Sequence, residues 1–169
     1  TCGYATTDFD LWPETSKMIL VLLMFIGACA GSTGGGFKIS RLLILCKAIP
    51  KQLSLVIHPR EVKVIRMDGK PIDHNTLRST NVYLAIYFFI LLVSTLLISV
   101  DNFNLTTNFT AVASTLNNIG PGLDGVGPTR NFSMYSDFSK FVLMFDMLAG
   151  RLELYPLLIL FMPSLWRRK

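Results

Sequence analysis

The chain of 169 residues is 51% hydrophobic and 16% charged, too apolar for an ordinary soluble domain of this length. Its net charge of +5 follows the membrane topology derived below, so no nucleic-acid partner is expected. Cys2, Cys29 and Cys46 have no metal-ligand spacing and are odd in number, which reads as packing rather than a disulfide set or a metal site. No signal peptide is visible and the chain opens on Thr1, so a piece of a longer protein is expected.

In chain order, "TCGY" at Thr1-Cys2-Gly3-Tyr4 has the form of an ion-filter strand. Residues 18–37 then carry no Asp, Glu, Lys or Arg, enough length to cross a hydrocarbon core that takes about 20 helical residues. Within that window "GACAGSTGGGFKISR" interrupts the apolar run. Gly31 and Gly36 have the spacing of a phosphate-binding loop, yet that motif needs Lys directly after the second glycine. Here the order is Gly36-Phe37-Lys38-Ile39, and the preceding "MILVLLMF" belongs to a longer helix rather than a strand.

The next stretch is basic. Nine of the sixteen Lys and Arg lie between Lys38 and Arg78, and Arg167-Arg168-Lys169 close the chain, while 1–16 and 101–129 carry only acidic charges. The positive-inside rule places the basic segments in the cytoplasm. "HPREVKVIRMDGKPID" alternates Val62, Val64 and Arg66 around an Asp68-Gly69 turn signal and predicts a short β-hairpin there. His58 and His74 read as solvated loop residues.

A second charge-free window, 79–100, predicts an outward helix. In 101–137, a helix-like "TTNFTAVASTLNN" leads into "IGPGLDGVGP", the pattern of a re-entrant loop that enters as a helix and returns as a glycine-rich strand. Carbonyls of such a strand can replace a cation's hydration shell. The plainer alternative is an extracellular loop, favoured by the glycosylation-type triplets at Asn104, Asn108 and Asn131. A last apolar segment, Phe141 to Trp166, contains Asp146, Arg151 and Glu153 and so predicts a polar interior face.

Setting Gly3 on Gly120 gives an offset of 117 residues, under which Gly34 falls on Arg151 and 18–26 on 135–143. The chain reads as the back half of one repeat followed by a complete one. The fold class expected is all-α integral membrane, with tandem helix, pore-loop, helix repeats and a small cytoplasmic β-hairpin between them. Residues 1–50 would end one repeat and 51–78 form the cytoplasmic connection. Residues 79–169 would hold the other repeat: outer helix 79–100, pore helix about 106–117, filter 118–123 and inner helix about 138–166.

"TCGYATTDFDLWP", "GACAGSTGGGFKISR", "HPREVKVIRMDGKPI", "NNIGPGLDGVGP" and "MLAGRLELYPLLILF" together resemble the Trk/Ktr/HKT superfamily of potassium transporters. The resemblance is greatest to the C-terminal part of the bacterial Trk-type membrane subunit. It implies K+ as the transported ion with no organic cofactor, and a multi-pass place in the cytoplasmic (inner) membrane among lipid. It further implies four repeats in a homodimeric full-length subunit and a cytoplasmic nucleotide-binding partner of the regulator-of-conductance type. A selectivity filter at Thr1, Cys2, Gly3, Tyr4, Asn118, Ile119, Gly120 and Pro121 follows. K+ would be held by the carbonyls of Thr1, Cys2, Gly3, Asn118, Ile119 and Gly120.

The resemblance also answers why glycines interrupt the first span: Gly31, Ser32, Thr33, Gly34, Gly35 and Gly36 would form an intramembrane gate. Arg151, at the matching depth, would face the pore and donate to carbonyls freed by the broken helix. Alternatives are close packing through small residues for the loop, and an ion pair to Asp146 or Glu153 for Arg151. An enzyme is not expected, because neither Ser32 nor Cys29 has a membrane-embedded histidine as base. A non-conducting structural or assembly subunit is the alternative function.

Overall fold

The computed structural model describes residues 3–29, 31–32, 34–58, 64–67 and 69–152, with backbone only for 70 and 74. Thr1, Cys2, Thr33, the hairpin's Val62 and Asp68, Glu153 and the basic C-terminus therefore lie outside the described residues.

Five α-helices organise the chain: α1 (Glu14–Ile26), α2 (Ile39–Ile57), α3 (His74–Ile98), α4 (Leu105–Leu116) and α5 (Asp137–Leu152). α1 starts directly after Pro13, whose fixed φ and missing N–H suit a helix entry. It stops at Gly27, which has φ 71°. The chain then makes an excursion and resumes as α2. The base of that excursion is closed by backbone bonds, Phe37 N–H to Phe25 O at 3.2 Å and Ile39 N–H to Ala28 O at 3.1 Å. The helix is thus interrupted by a loop whose two ends lie together.

α2 continues through Pro50 to Ile57, so the sequence-based division at 50/51 falls inside a helix. Beyond it, β1 (Arg66–Met67) pairs antiparallel with β2 (Lys70–Pro71), in register Arg66 to Pro71 and Met67 to Lys70. Gly69, at φ 77°, supplies the left-handed turn residue. Lys47 of α2 donates to the Arg66 carbonyl at 2.9 Å, tying the hairpin to that helix. His74, expected on the connecting loop, instead opens α3.

Among the described residues one helical stretch, Asn75–Asp101, is long and apolar enough to cross a membrane, with mean hydropathy 2.4. Its inner ridge, Tyr83, Tyr87 and Leu91, is buried, whereas Phe89, Leu92 and Leu96 are exposed. Tyr83 and Tyr87 pack on Phe37 from the excursion, with ring centroids 5.8 and 6.3 Å away. Phe25 at the end of α1 packs on Phe109 of α4 at 6.0 Å.

α4 is short and enclosed: every residue from Thr110 to Leu116 is buried. Its polar side chains do not stay unpaired. Thr110 and Thr115 donate back to the carbonyls of Thr106 and Ala111, at 2.8 and 2.9 Å, the local pairing that lets hydroxyls sit in a buried helix. α5 packs along α4 and α3. The buried Asp146 accepts from Ser94 of α3 at 2.7 Å.

Candidate functional site

The segment that follows α4 does not leave it but folds back along it. Ile119 N–H bonds Ser114 O at 2.9 Å, Ser114 Oγ donates to Gly120 O at 2.6 Å, and Leu123 N–H bonds Thr110 Oγ1 at 3.1 Å. Hydroxyls spaced along one face of the helix thereby pin a returning strand-like segment, irregular at Asn118 and Gly120, whose backbone has no sheet partner. At its far end Thr107 and Asn104 donate to Asp124, at 2.9 and 3.3 Å. Those two bonds, Thr107's first, hold the Asp124 carboxyl below the usual carboxylate range. Asp10, from the segment after Gly3, accepts from Asp124 N–H at 3.0 Å.

Gly3 and Gly120 come face to face. Both have positive φ, 76° and 112°, and a Cβ on Gly120 would lie 3.0 Å from the Cα of Gly3. Glycine is required there on both grounds. The carbonyl oxygen of Ile119 lies nearby, 3.5 Å from where a Gly3 Cβ would stand. Gly120 O, engaged by Ser114, retains a second lone pair. Asn118, at φ 54°, is anchored to α5 by its side-chain amide on Met147 O at 3.2 Å. Tyr4 is exposed, and lines with Pro121 and Gly3 a cavity of about 390 Å³ on one side of the strand.

On the other side lies a cavity of about 570 Å³, lined by Gly3, Ser114, Thr115, Asn118, Gly120 and Arg151 among others. The carbonyl end of α4 borders it, and a helix C-terminus carries about half a negative charge, which favours cations.

α5 reaches this level by close approach. Gly150 lies so near Leu116 O that a Cβ would collide with it, and Gly35 of the excursion meets Asn117 O in the same way. Gly35 and Gly150, neighbours in sequence of Gly34 and Arg151, therefore abut the same end of α4.

The excursion itself is held by a residue that sequence reasoning missed. Lys38, 7% exposed, donates its ammonium to Ser32 O at 2.5 Å and Gly34 O at 2.6 Å. Ser32 Oγ accepts from Gly34 N–H at 3.2 Å. The carbonyls freed by the helix break, assigned from sequence to Arg151, are thus taken at Ser32 and Gly34 by Lys38. Its position two residues after Gly36 was the available signal. Gly31 and Gly36 turn the loop with φ 79° and 86°. Arg151 is exposed on α5 and borders the cavity. Ser94 rather than Arg151 is the hydrogen-bond donor to Asp146.

This geometry is that of a mostly helical protein in which a segment folds back along a short buried helix, beside an interrupted helix and one helical stretch long and apolar enough to cross a membrane. The chain matches the model of the TrkH family, described as "Cation transport protein", over residues 1–168. It belongs to that family. It is 38% identical over 167 residues to the Trk system potassium uptake protein TrkH of Vibrio parahaemolyticus and 36% identical to that of Escherichia coli K12, in each case over 99% of this chain and 34% of the relative. TrkI of Halomonas elongata is 34% identical over 169 residues, again 34% of its length. The crystal structure of the potassium transporter TrkH from Vibrio parahaemolyticus superposes with a TM-score of 0.87 at 38% identity, covering 98% of this chain and 35% of that one. The chain spans about a third of the length of the relatives it matches.

Proposed function

We propose that this chain supplies part of a potassium uptake pathway across the cytoplasmic membrane, within a longer multi-pass subunit of four pseudo-symmetric repeats. The observation that carries this reading is the meeting of Gly3 and Gly120, two strands with positive φ, at the border of the cavity that the carbonyl end of α4 faces. Relatives named as Trk system potassium uptake proteins, similar along nearly the whole chain, support the same ion.

In this reading K+ sheds water at the carbonyls of Thr1, Cys2, Gly3, Asn118, Ile119 and Gly120, with Tyr4 and Pro121 completing the filter strands. Glycine-loop residues 31–36 form the gate beneath. With its carbonyls at Ser32 and Gly34 neutralised by Lys38, the closed loop offers little to a cation. Arg151 adds a positive charge on the cavity wall, which opposes cation passage until the loop moves. No covalent step and no organic cofactor are involved. The basic segment 38–78 and the hairpin face the cytoplasm, where they meet lipid and a nucleotide-binding regulatory subunit, and the full-length subunit is a homodimer.

Expression of the full-length subunit in cells lacking their own potassium uptake, followed by flux measurement in liposomes, tests the reading. Growth on low potassium and saturable K+ entry are expected. Correct insertion with neither would favour the non-conducting assembly subunit.

A further inference from the structure

The end of α4 lies between the filter strand and the glycine loop, and one residue there touches both. Asn117 is 1% exposed and precedes Asn118, the first residue of the filter strand. Its side chain is held at both polar atoms: Nδ2 donates to Ala113 O at 2.7 Å and Oδ1 accepts from Tyr87 OH at 2.7 Å. Its backbone N–H also caps α4 on Ala113 O at 3.1 Å.

The loop presses on the same residue. Gly35 approaches Asn117 O too closely for any side chain, and a Cβ on Gly36 would lie 3.5 Å from Asn117 Oδ1. The next residue, Phe37, packs edge-on against Tyr87, the donor to Asn117. Loop and tyrosine thus grip Asn117 from two sides, with no space between the loop backbone and the helix end. Packed interiors do not deform continuously, so a shift of residues 35–37 must move Asn117 or break its bond to Tyr87. Either event displaces Asn118 and the strand that begins with it.

We propose that Asn117, held by Tyr87, is a positioning residue that transmits the state of the glycine loop to the filter, so that opening of the loop and ion selectivity are coupled. The inference rests on the transport reading above. It adds that selectivity depends on contacts outside the filter.

The test is made on the full-length subunit in liposomes, reading K+/Na+ permeability ratio beside thermal stability. Wild-type protein must first show K+ flux; without it the transport reading fails, and this inference with it. Given that flux, Tyr87→Phe keeps the ring contacts and removes one hydrogen bond, and the ratio is expected to fall about threefold or more, the scale of one lost buried bond. Gly35→Ala, acting from the loop side, should lower it as well. An unchanged ratio in Tyr87→Phe, even with reduced thermal stability, would make the pair purely structural and overturn the proposal. If Gly35→Ala does not reach the membrane, Tyr87→Phe alone decides.

Discussion

The hydroxyl of Ser114 donates to the carbonyl oxygen of Gly120 at 2.6 Å, across a turn of only six residues. That bond fixes which way the strand's most permissive residue faces. Ser114→Ala removes the donor but leaves α4 intact, since alanine is the best helix former. Gly120 then gains freedom, and the K+/Na+ permeability ratio of the full-length subunit is expected to drop several-fold, with Ser114→Thr retaining more of it. Permeability ratios measured for the two variants check this.

Lys38 stands at φ 70°, ψ 130°, a conformation that costs a non-glycine residue about 1–3 kcal/mol and survives only where its surroundings demand it. The demand is its pair of carbonyl bonds. Lys38→Met keeps the apolar stem and loses both, leaving two loop carbonyls without their donor at a cost of about 1–3 kcal/mol each if they remain dry. Raised basal K+ flux and a lower thermal midpoint are expected. Lys38→Gly relieves the backbone but not the carbonyls, so it should be less destabilised than Lys38→Met and equally leaky.

The role proposed for Arg151 rests on its charge at the cavity wall. Arg151→Ala is expected to raise basal flux, and Arg151→Lys to keep it near the wild-type value because the charge is kept. Flux assays on protein shown to insert normally would measure both. Equal flux in wild type and Arg151→Ala would remove the residue from the gate.

Asp124 gives the outer end of the strand a pH dependence. Its carboxyl sits below the usual range because Thr107 and then Asn104 donate to it. The stabilisation is therefore present above the unfolded carboxylate range and fades as pH falls through the lowered folded value. Asp124→Asn should flatten that acid dependence in a thermal-melt series between about pH 7 and pH 3, a window spanning the ordinary Asp range.

What the sequence made legible were features with local signatures. The charge-free window 79–100 lies within the helical stretch Asn75–Asp101 because length without charge is a property of the residues themselves. The glycine run marked the helix break, and Gly69 marked the turn between β1 and β2. The division drawn at 50/51 falls inside α2, which continues through Pro50 to Ile57 on a largely exposed face. The harder part was partnership at long range. Lys38 read as the first of the basic cytoplasmic residues, and only the folded loop brings its ammonium to Ser32 and Gly34. The Tyr87–Asn117 and Ser94–Asp146 bonds join residues 30 and 52 apart, and neither spacing carries a signal in one sequence.

The central claim is that Gly3 and Gly120 form a carbonyl-lined filter, and the K+/Na+ permeability ratio of the full-length subunit carrying Gly120→Ser tests it most directly. At φ 112° and 3.0 Å from Gly3 Cα, a side chain at 120 must distort the strand. The account predicts a ratio reduced by about tenfold, equivalent to about 1.4 kcal/mol of lost discrimination, with K+ flux still present. An inserted, conducting Gly120→Ser subunit with the wild-type ratio would contradict it.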